Sequence, residues 1–254
     1  MDRVKMFLGT LTGRLQDAIA GAADDPAAVA DSIQELLRVA SVDLREAVTA
    51  AVEELSQLDP ATSVANRRTL EETAENEFSR ALRYRRTLSA LSLEVNDFPG
   101  IREARGGEGG DAFLRTVILD CCRGIRVCDI VGRTGSAEFT ILLPETPLSG
   151  AIQVGQRLRE IMRETPIPVG DEAISYTVNV GVATADREDV GATPLLSRAV
   201  EALRRAVEIG PDALIVARQA SLEEDEHTSD GELEADFQKA LGSVSVEYLP
   251  PEEL

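Results

Sequence analysis

The segment at residues 126–146 constrains the fold of this chain more strongly than any other. It contains two short apolar runs, 127–131 and 139–143, which are separated by Gly132, Gly135 and Ser136. Apolar runs joined by small turn-forming residues are typical of a β-hairpin. We therefore predict a hairpin whose apex faces solvent or a ligand.

From Asp59 onward, helical and strand patterns alternate along the chain. Pro60 suits a first helical turn, and the sequence predicts a charged helix from there to about Arg86. Apolar residues at 88–95 predict the central strand, and alternating β-branched residues at 174–183 predict another. The pattern also predicts a Gly-rich loop at 98–110, helices at 111–122, 147–163 and 194–209, and a last strand at 213–217. The order αβαββαβαβ indicates an α/β fold, with helices flanking a central, mainly antiparallel sheet.

Two amphipathic helices are predicted before this domain. Residues 1–21 carry apolar side chains at helical spacing, and those at 27–58 step by four and three residues, close to a heptad seam. The helical hairpin either packs on its own domain or dimerises as a coiled coil, and both alternatives stay open. We assign 1–58 to a dimerisation or regulatory region and 59–217 to the main domain.

The composition limits the partners and the compartment of this protein. Its formal net charge is −19, so it lacks the basic surface that nucleic acid or an anionic membrane would need. No apolar run approaches the ~18 residues of a membrane span, and no secretory signal is evident. The three cysteines and one histidine have no metal-ligand spacing. We expect a cytoplasmic protein without a metal, a cofactor or a membrane span.

The segment at 218–254 is acidic and poor in residues that pack. Residues 219–254 hold 11 acidic residues and one lysine, which favours a disordered tail. Apolar residues are embedded in it, among them Phe237, Tyr248 and Leu249. The tail is either a solubilising segment or a short linear motif that folds on a partner.

Residues 59–217 resemble the diguanylate cyclase (GGDEF) domain in several motifs that occur in the right order. The hairpin apex reads Gly-Ser-Ala-Glu-Phe at 135–139, where the family has Gly-Gly-Asp-Glu-Phe. The opening motif of the family, Asp-x-Leu-Thr-Gly-Leu-x-Asn-Arg, is matched at Asp59, Thr62, Asn66 and Arg67. The strand at 174–183 also resembles a family strand. The resemblance implies the palm-like fold of nucleotidyl cyclases and a role in signalling by the bacterial second messenger cyclic di-GMP.

The same resemblance implies that the catalytic machinery is incomplete. Family enzymes join two GTP molecules with metal ions that carboxylates hold. One of these carboxylates corresponds to Glu94, whereas the other falls at Ala137, which has no oxygen to offer. Cationic or guanine-contacting positions of the family are occupied by Pro99, Arg102, Val207 and Pro211. We expect no catalytic residues, no GTP condensation, and a vestigial active site at Glu94, Asn96, Asp111, Gly135, Ser136, Ala137 and Glu138.

A second family site, which binds the product, is implied by three other residues. In the family, an Arg-x-x-Asp motif before the hairpin acts with an arginine from the next helix. Arg126, Asp129 and Arg157 stand at these positions. Guanidinium groups offer forked donors to phosphate or guanine, and a carboxylate accepts from guanine N–H groups. An ion pair at the start of a strand would give the same Arg-x-x-Asp pattern.

Our leading hypothesis is a catalytically inactive cyclase-like domain that acts as a cyclic di-GMP receptor. We expect a homodimer that signals to an unidentified protein partner through the N-terminal helices or the acidic tail. The alternative is a dimeric scaffold that binds no nucleotide. A third possibility is that GTP or another guanine nucleotide acts as an allosteric ligand at Asp111 and Glu94.

Overall fold

The computed structural model describes residues 56–169, 172–217 and 248–249, together with five isolated helical positions, Gln34, Arg38, Ser41, Val42 and Arg45. The chain divides into two compact units, Met1–Ser56 and Gln57–Leu254. The five helical positions fall within the helix predicted at 27–58, and the rest of the predicted helical hairpin lies outside the described residues. Within the described part, no helix is both long and apolar enough to cross a membrane.

The second unit alternates helices and strands along the chain. Its elements are β1 (Ala65–Asn66), α1 (Arg67–Tyr84), β2 (Leu88–Val95), α2 (Phe98–Arg123), β3 (Ile130–Arg133), β4 (Glu138–Pro144), α3 (Leu148–Glu164), β5 (Ile167–Val169), β6 (Glu172–Ile174), β7 (Val178–Thr184), α4 (Thr193–Ile209), β8 (Leu214–Ala217) and β9 (Tyr248–Leu249).

Seven of the strands form one mixed sheet in the order β1-β3-β4-β2-β7-β8-β9. The central pairs β3/β4, β4/β2 and β2/β7 are antiparallel, whereas β1/β3, β7/β8 and β8/β9 are parallel. Strands β5 and β6 form a separate two-stranded hairpin. The predicted architecture of helices around a sheet with an antiparallel centre is confirmed.

Strand β2 is the centre of the sheet and is buried on both faces. Side chains such as Leu91 and Leu93 pack into a core with α2 and α3, whereas Leu88 and Ala90 pack into a second core with α1 and α4. Alternate residues of a strand point to opposite faces, so one strand serves both cores. Helix α4 approaches the sheet closely at Gly181, where a Cβ atom would lie 2.2 Å from the carbonyl oxygen of Ala199. Only glycine permits this contact.

Five elements differ from their predictions. The charged helix predicted from Pro60 begins only at Arg67, because 60–62 form a turn, Ala65–Asn66 pairs as β1, and the Asn66 side chain caps the helix. The strand predicted at 174–183 is divided, since β6 ends at Ile174 and β7 begins at Val178.

The segment at 98–110 is helical and not a loop, because α2 begins at Phe98 and is interrupted at Gly106, whose φ is 73°. The first hairpin strand begins at Ile130, since residues 126–129 form a turn that leaves Val127 fully exposed. In the tail, Tyr248–Leu249 pairs with β8, and the rest of the segment predicted to be disordered lies outside the described residues.

Candidate functional site

Two glutamates lie side by side at one end of the sheet. The strand register pairs Glu94 of β2 directly with Glu138 of β4. Directly opposed residues of an antiparallel pair share one face, with Cβ atoms about 5 Å apart. Both side chains are partly buried. Burial, together with the charge of Glu138, raises the pKa of Glu94 above its usual range.

Ala137, at the third position of the hairpin motif, faces the opposite way from Glu138. It is 7% exposed and belongs to the core that contains Phe113 and Phe139. The side chain at this position therefore forms part of the apolar core and offers no metal ligand. Among the described residues, no group of three or more histidine, cysteine, aspartate and glutamate side chains could hold a metal ion.

The hairpin apex is held by two arginines that the sequence analysis did not single out for this role. Arg133 donates through Nε to the carbonyl of Gly135 at 3.1 Å and through Nη2 to the carbonyl of Ser136 at 2.6 Å. Arg67 donates to the carbonyl of Thr134. These guanidinium groups occupy carbonyls along the apex, so the loop has a defined backbone conformation.

Asp59 anchors this network from the beginning of the domain. Its Oδ1 accepts from Nη1 of Arg133 at 3.1 Å, and from the backbone N–H and hydroxyl of Thr62 at 2.9 and 2.6 Å. Burial alone would raise the pKa of Asp59, but the hydrogen bonds from Thr62 and Arg133 outweigh it and hold that pKa below its usual value. The opening-motif match at Asp59 and Thr62 was the sequence signal for this contact.

The other predicted residues of the vestigial site are distributed around this end of the sheet. Asn96 donates through Nδ2 to the hydroxyl of Thr177 at 2.9 Å, so its amide has a structural partner. Asp111 is partly buried on α2 and does not join Glu94 and Glu138 in a metal-binding group within the described structure. Gly135 lies under Glu138, because a Cβ atom there would be 2.7 Å from the carboxyl carbon of that side chain.

The predicted product-binding residues Arg126 and Asp129 form a turn before β3. Oδ2 of Asp129 accepts from the backbone N–H of Arg126 at 2.7 Å, and the backbone N–H of Asp129 donates to the carbonyl of Arg126 at 3.1 Å. The aspartate therefore closes the turn and does not form an ion pair with the Arg126 side chain. That side chain is exposed, and its guanidinium has no hydrogen-bond partner among the described residues.

Arg157 reaches the same loop from α3. Its Nε and Nη2 donate to the carbonyl of Gly124 at 2.9 and 2.6 Å. Gly124 caps the end of α2, two residues before Arg126, and Leu158 packs against it closely enough to exclude a Cβ atom. The fold thus brings the three residues of the predicted site to one loop between α2, β3 and α3.

A buried polar cluster fixes the end of α2 just before this loop. Asp120 is 1% exposed and accepts from the Tyr176 hydroxyl at 2.9 Å and from Nη1 of Arg123 at 2.7 Å. Burial and the hydrogen bond to Asp120 raise the pKa of Tyr176, so the phenol stays protonated as the donor. Residues 56 positions apart in sequence form this contact, and no local pattern indicated it.

Comparison with known proteins identifies the domain. The family model described as "Diguanylate cyclase, GGDEF domain" matches residues 56–212. The diguanylate cyclase DgcP of Pseudomonas aeruginosa is 32% identical over 159 residues, which cover 63% of this chain and 24% of DgcP. The response regulator PleD of Caulobacter vibrioides is 29% identical over 164 residues, which cover 64% of this chain and 36% of PleD. The chain thus spans roughly a quarter to a third of the length of these curated relatives.

Solved structures share the fold. The diguanylate cyclase SiaD of Pseudomonas aeruginosa, in complex with its activator SiaC, has a TM-score of 0.60 and 26% identity, and the match covers 85% of this chain and 83% of SiaD. The expected palm-like fold is confirmed by this similarity. Because the family model covers more than half of the chain, this protein belongs to the GGDEF domain family of diguanylate cyclases.

Proposed function

We propose that this GGDEF domain has lost cyclase activity and is a cytoplasmic receptor that binds cyclic di-GMP through Arg126, Asp129 and Arg157. The observation that carries the proposal is the position of Arg157. Its contact with the Gly124 carbonyl places a guanidinium from α3 next to the turn that holds Arg126 and Asp129.

The chemistry of Arg126 and Asp129 suits a guanine dinucleotide. The exposed Arg126 guanidinium has its five N–H donors available for phosphate or for the acceptor edge of guanine. Oδ2 of Asp129 is engaged in the turn. Oδ1 accepts only a weak hydrogen bond from the Cys128 thiol at 3.9 Å, so Oδ1 is available to accept from guanine N–H groups. Because the turn is already formed, binding requires little further ordering of the backbone.

The loss of cyclase activity is proposed from the hairpin. Phosphoryl chemistry with two metal ions needs carboxylate oxygens on both sides of the metals. Ala137 lies in the core, and the remaining carboxylate pair, Glu94 and Glu138, shares one face of the sheet. Removal of one group that stabilises a transition state typically lowers turnover about 10²–10³-fold, so several missing groups would abolish it.

The proposed output is a protein–protein contact. We propose that a bound dinucleotide bridges two subunits and changes how the helices at 27–58 pair, since a ligand shifts such an equilibrium only through its different affinity for the two arrangements. This step concerns residues that lie mostly outside the described part of the chain.

Titration calorimetry with the full chain tests the proposal. We expect micromolar or tighter binding of cyclic di-GMP, its loss in Arg126→Ala, and no heat with GTP and magnesium. Arg187→Ala is the matched control, because Arg187 is an exposed arginine on the loop after β7. An absence of binding to wild type, or equal binding to Arg126→Ala, would contradict the proposal.

A scaffold that binds no nucleotide is the second candidate. It is favoured by the intramolecular partners of two of the three residues, because Arg157 holds the end of α2 and Asp129 closes its own turn. On this view the residues stabilise the loop and nothing else. The same titration separates the candidates, since a scaffold gives no heat with either nucleotide.

A further inference from the structure

Four arginines are concentrated at the end of α1 and the start of the connection to β2. We call Arg80, Arg83, Arg85 and Arg86 the basic patch. All four are exposed, and no acidic residue occurs within 80–86, although the chain as a whole has a net charge of −19. One cation in the last turn of a helix is enough to offset the helix dipole, so the dipole does not explain a group of four arginines.

The patch is only partly neutralised by its neighbours. Arg80 pairs with Glu77 at 3.4 Å, and Arg86 pairs with Glu145 at 4.0 Å. The guanidinium groups of Arg83 and Arg85 have no partner among the described residues. Positive charge therefore remains available for an anionic partner.

Apolar surface accompanies this charge. Leu82 is 66% exposed and Tyr84 is 61% exposed. Tyr84 also lines a surface pocket together with Arg80, Arg86 and Pro144. A partner that fits the patch therefore combines carboxylates with a few apolar side chains.

The acidic tail leaves the sheet at the end where the basic patch lies. Strand β8 ends at Ala217, at one end of the sheet, whereas β9 runs parallel to β8 and therefore begins toward the other end. Strand β7 is parallel to β8 and antiparallel to β2. The end of the sheet at which β8 finishes is therefore the end at which β2 begins, directly after the basic patch.

The distance is short for a segment of this length. Strands β2 and β8 are two places apart in the sheet, which corresponds to roughly 10 Å. The thirty residues at 218–247 can extend several times as far. Its attachment after Ala217 also gives the segment a millimolar effective concentration at the patch.

We propose that the acidic segment at 222–237 docks in cis on the basic patch. This segment holds eight of the 11 acidic residues of the tail, together with Leu222, Leu233 and Phe237. Arginine–carboxylate hydrogen bonds supply the attraction, and the apolar side chains contact Leu82 and Tyr84. The inference does not depend on whether the domain binds cyclic di-GMP.

Hydrogen exchange on the full chain, read by mass spectrometry, tests the docking. We expect amides at 222–237 to exchange about three- to tenfold more slowly in about 20 mM salt than in about 500 mM salt, because the contacts are between exposed charges. R83E/R85E should abolish this protection. The matched control is R102E/R187E, which changes the net charge equally at two exposed arginines outside the patch and should retain it.

A reciprocal variant keeps the test informative if R83E/R85E does not fold. This variant, E223Q/E224Q/D225N/E226Q, changes only the tail and leaves the domain sequence intact. It should speed amide hydrogen exchange at 80–88. Equal tail exchange in wild type and R83E/R85E at low salt would overturn the proposal. Protection that increases with protein concentration would also overturn docking in cis and would place the tail on a second copy.

Discussion

Glu94 and Glu138 lie directly opposite each other on β2 and β4, with both carboxylates on the same side of the sheet. Burial raises the pKa of Glu94, and the repulsion between like charges in this position raises it further. The ionised form of Glu94 is thus less favourable in the folded than in the unfolded chain. The pair lowers the stability of the domain wherever both groups are charged.

We expect Glu94→Gln to stabilise the domain at neutral pH by about 0.2–1 kcal/mol. A folded pKa above the unfolded pKa gives a penalty that is complete above both values and disappears as the pH falls through them. The gain should therefore be larger near pH 7.5 than near pH 4.5, as measured by urea unfolding. Glu138→Gln should give a smaller gain, because it removes the repulsion but not the burial of Glu94, and the double variant should add less than the sum. A gain that does not change with pH would refute this explanation.

The contact between Asp59 and Arg133 should contribute stability with the opposite pH dependence. The folded pKa of Asp59 lies below its unfolded value, so its contribution is complete above the unfolded pKa and is lost as the pH falls through the folded one. We expect Asp59→Asn to cost about 1–3 kcal/mol at neutral pH, and the difference from wild type to shrink below about pH 4. Urea unfolding across this pH range measures both effects.

Arg133→Lys is the companion variant for this network. Lysine keeps the charge but cannot donate at once to Asp59 and to the carbonyls of Gly135 and Ser136. We expect faster hydrogen exchange at the hairpin apex in Arg133→Lys, with Asp59 still ionised. An apex with wild-type exchange would show that its conformation does not depend on the forked contact.

Local patterns predicted the elements whose burial is regular. Strands β2 and β7 are buried at every position except Glu94, and their apolar or β-branched runs were sufficient to indicate them, although β7 begins four residues later than predicted. The helical character of 98–110 was missed because its glycines suggest a loop, whereas the chain bends only at Gly106. The two-residue strand β1 and the short hairpin β5/β6 contain too few residues to show a period.

For the candidate site too, the sequence indicated some of the residues but not their contacts. The spacing of Arg126, Asp129 and Arg157 identified three residues that the fold brings to one loop, but not that Arg157 binds the Gly124 carbonyl. The hydrogen bonds from Arg133 and Arg67 to the carbonyls of the hairpin apex join residues from separate elements. Such contacts depend on tertiary packing. Sequence spacing therefore located the residues, and only the fold gave their partners.

The approach of α4 to the sheet makes Gly181 intolerant of any side chain. A Cβ atom there would lie 2.2 Å from the carbonyl of Ala199 and 2.2 Å from the N of Leu203, which are backbone atoms and cannot rotate away. We expect Gly181→Ala to cost about 3 kcal/mol or more, because α4 must shift. Gly107→Ala is the matched control, since no atom lies within 4 Å of its added Cβ. Thermal unfolding of the two variants compares them, and a Gly181→Ala melting temperature equal to that of the control would contradict the packing.

Restoring the missing carboxylate of the hairpin should not restore a cyclase. Ala137 packs in the core beside Phe139, so the carboxylate in Ala137→Asp would be placed in apolar surroundings without a partner. We expect a loss of about 1–3 kcal/mol in stability and no conversion of GTP in the presence of magnesium. Ala112→Asp, at an exposed position of α2, should leave stability nearly unchanged. Chromatographic analysis of nucleotides and urea unfolding give the two readouts. Product formation by Ala137→Asp at wild-type stability would mean that this position can hold a metal ligand, and the proposed loss of activity would then depend on that one residue.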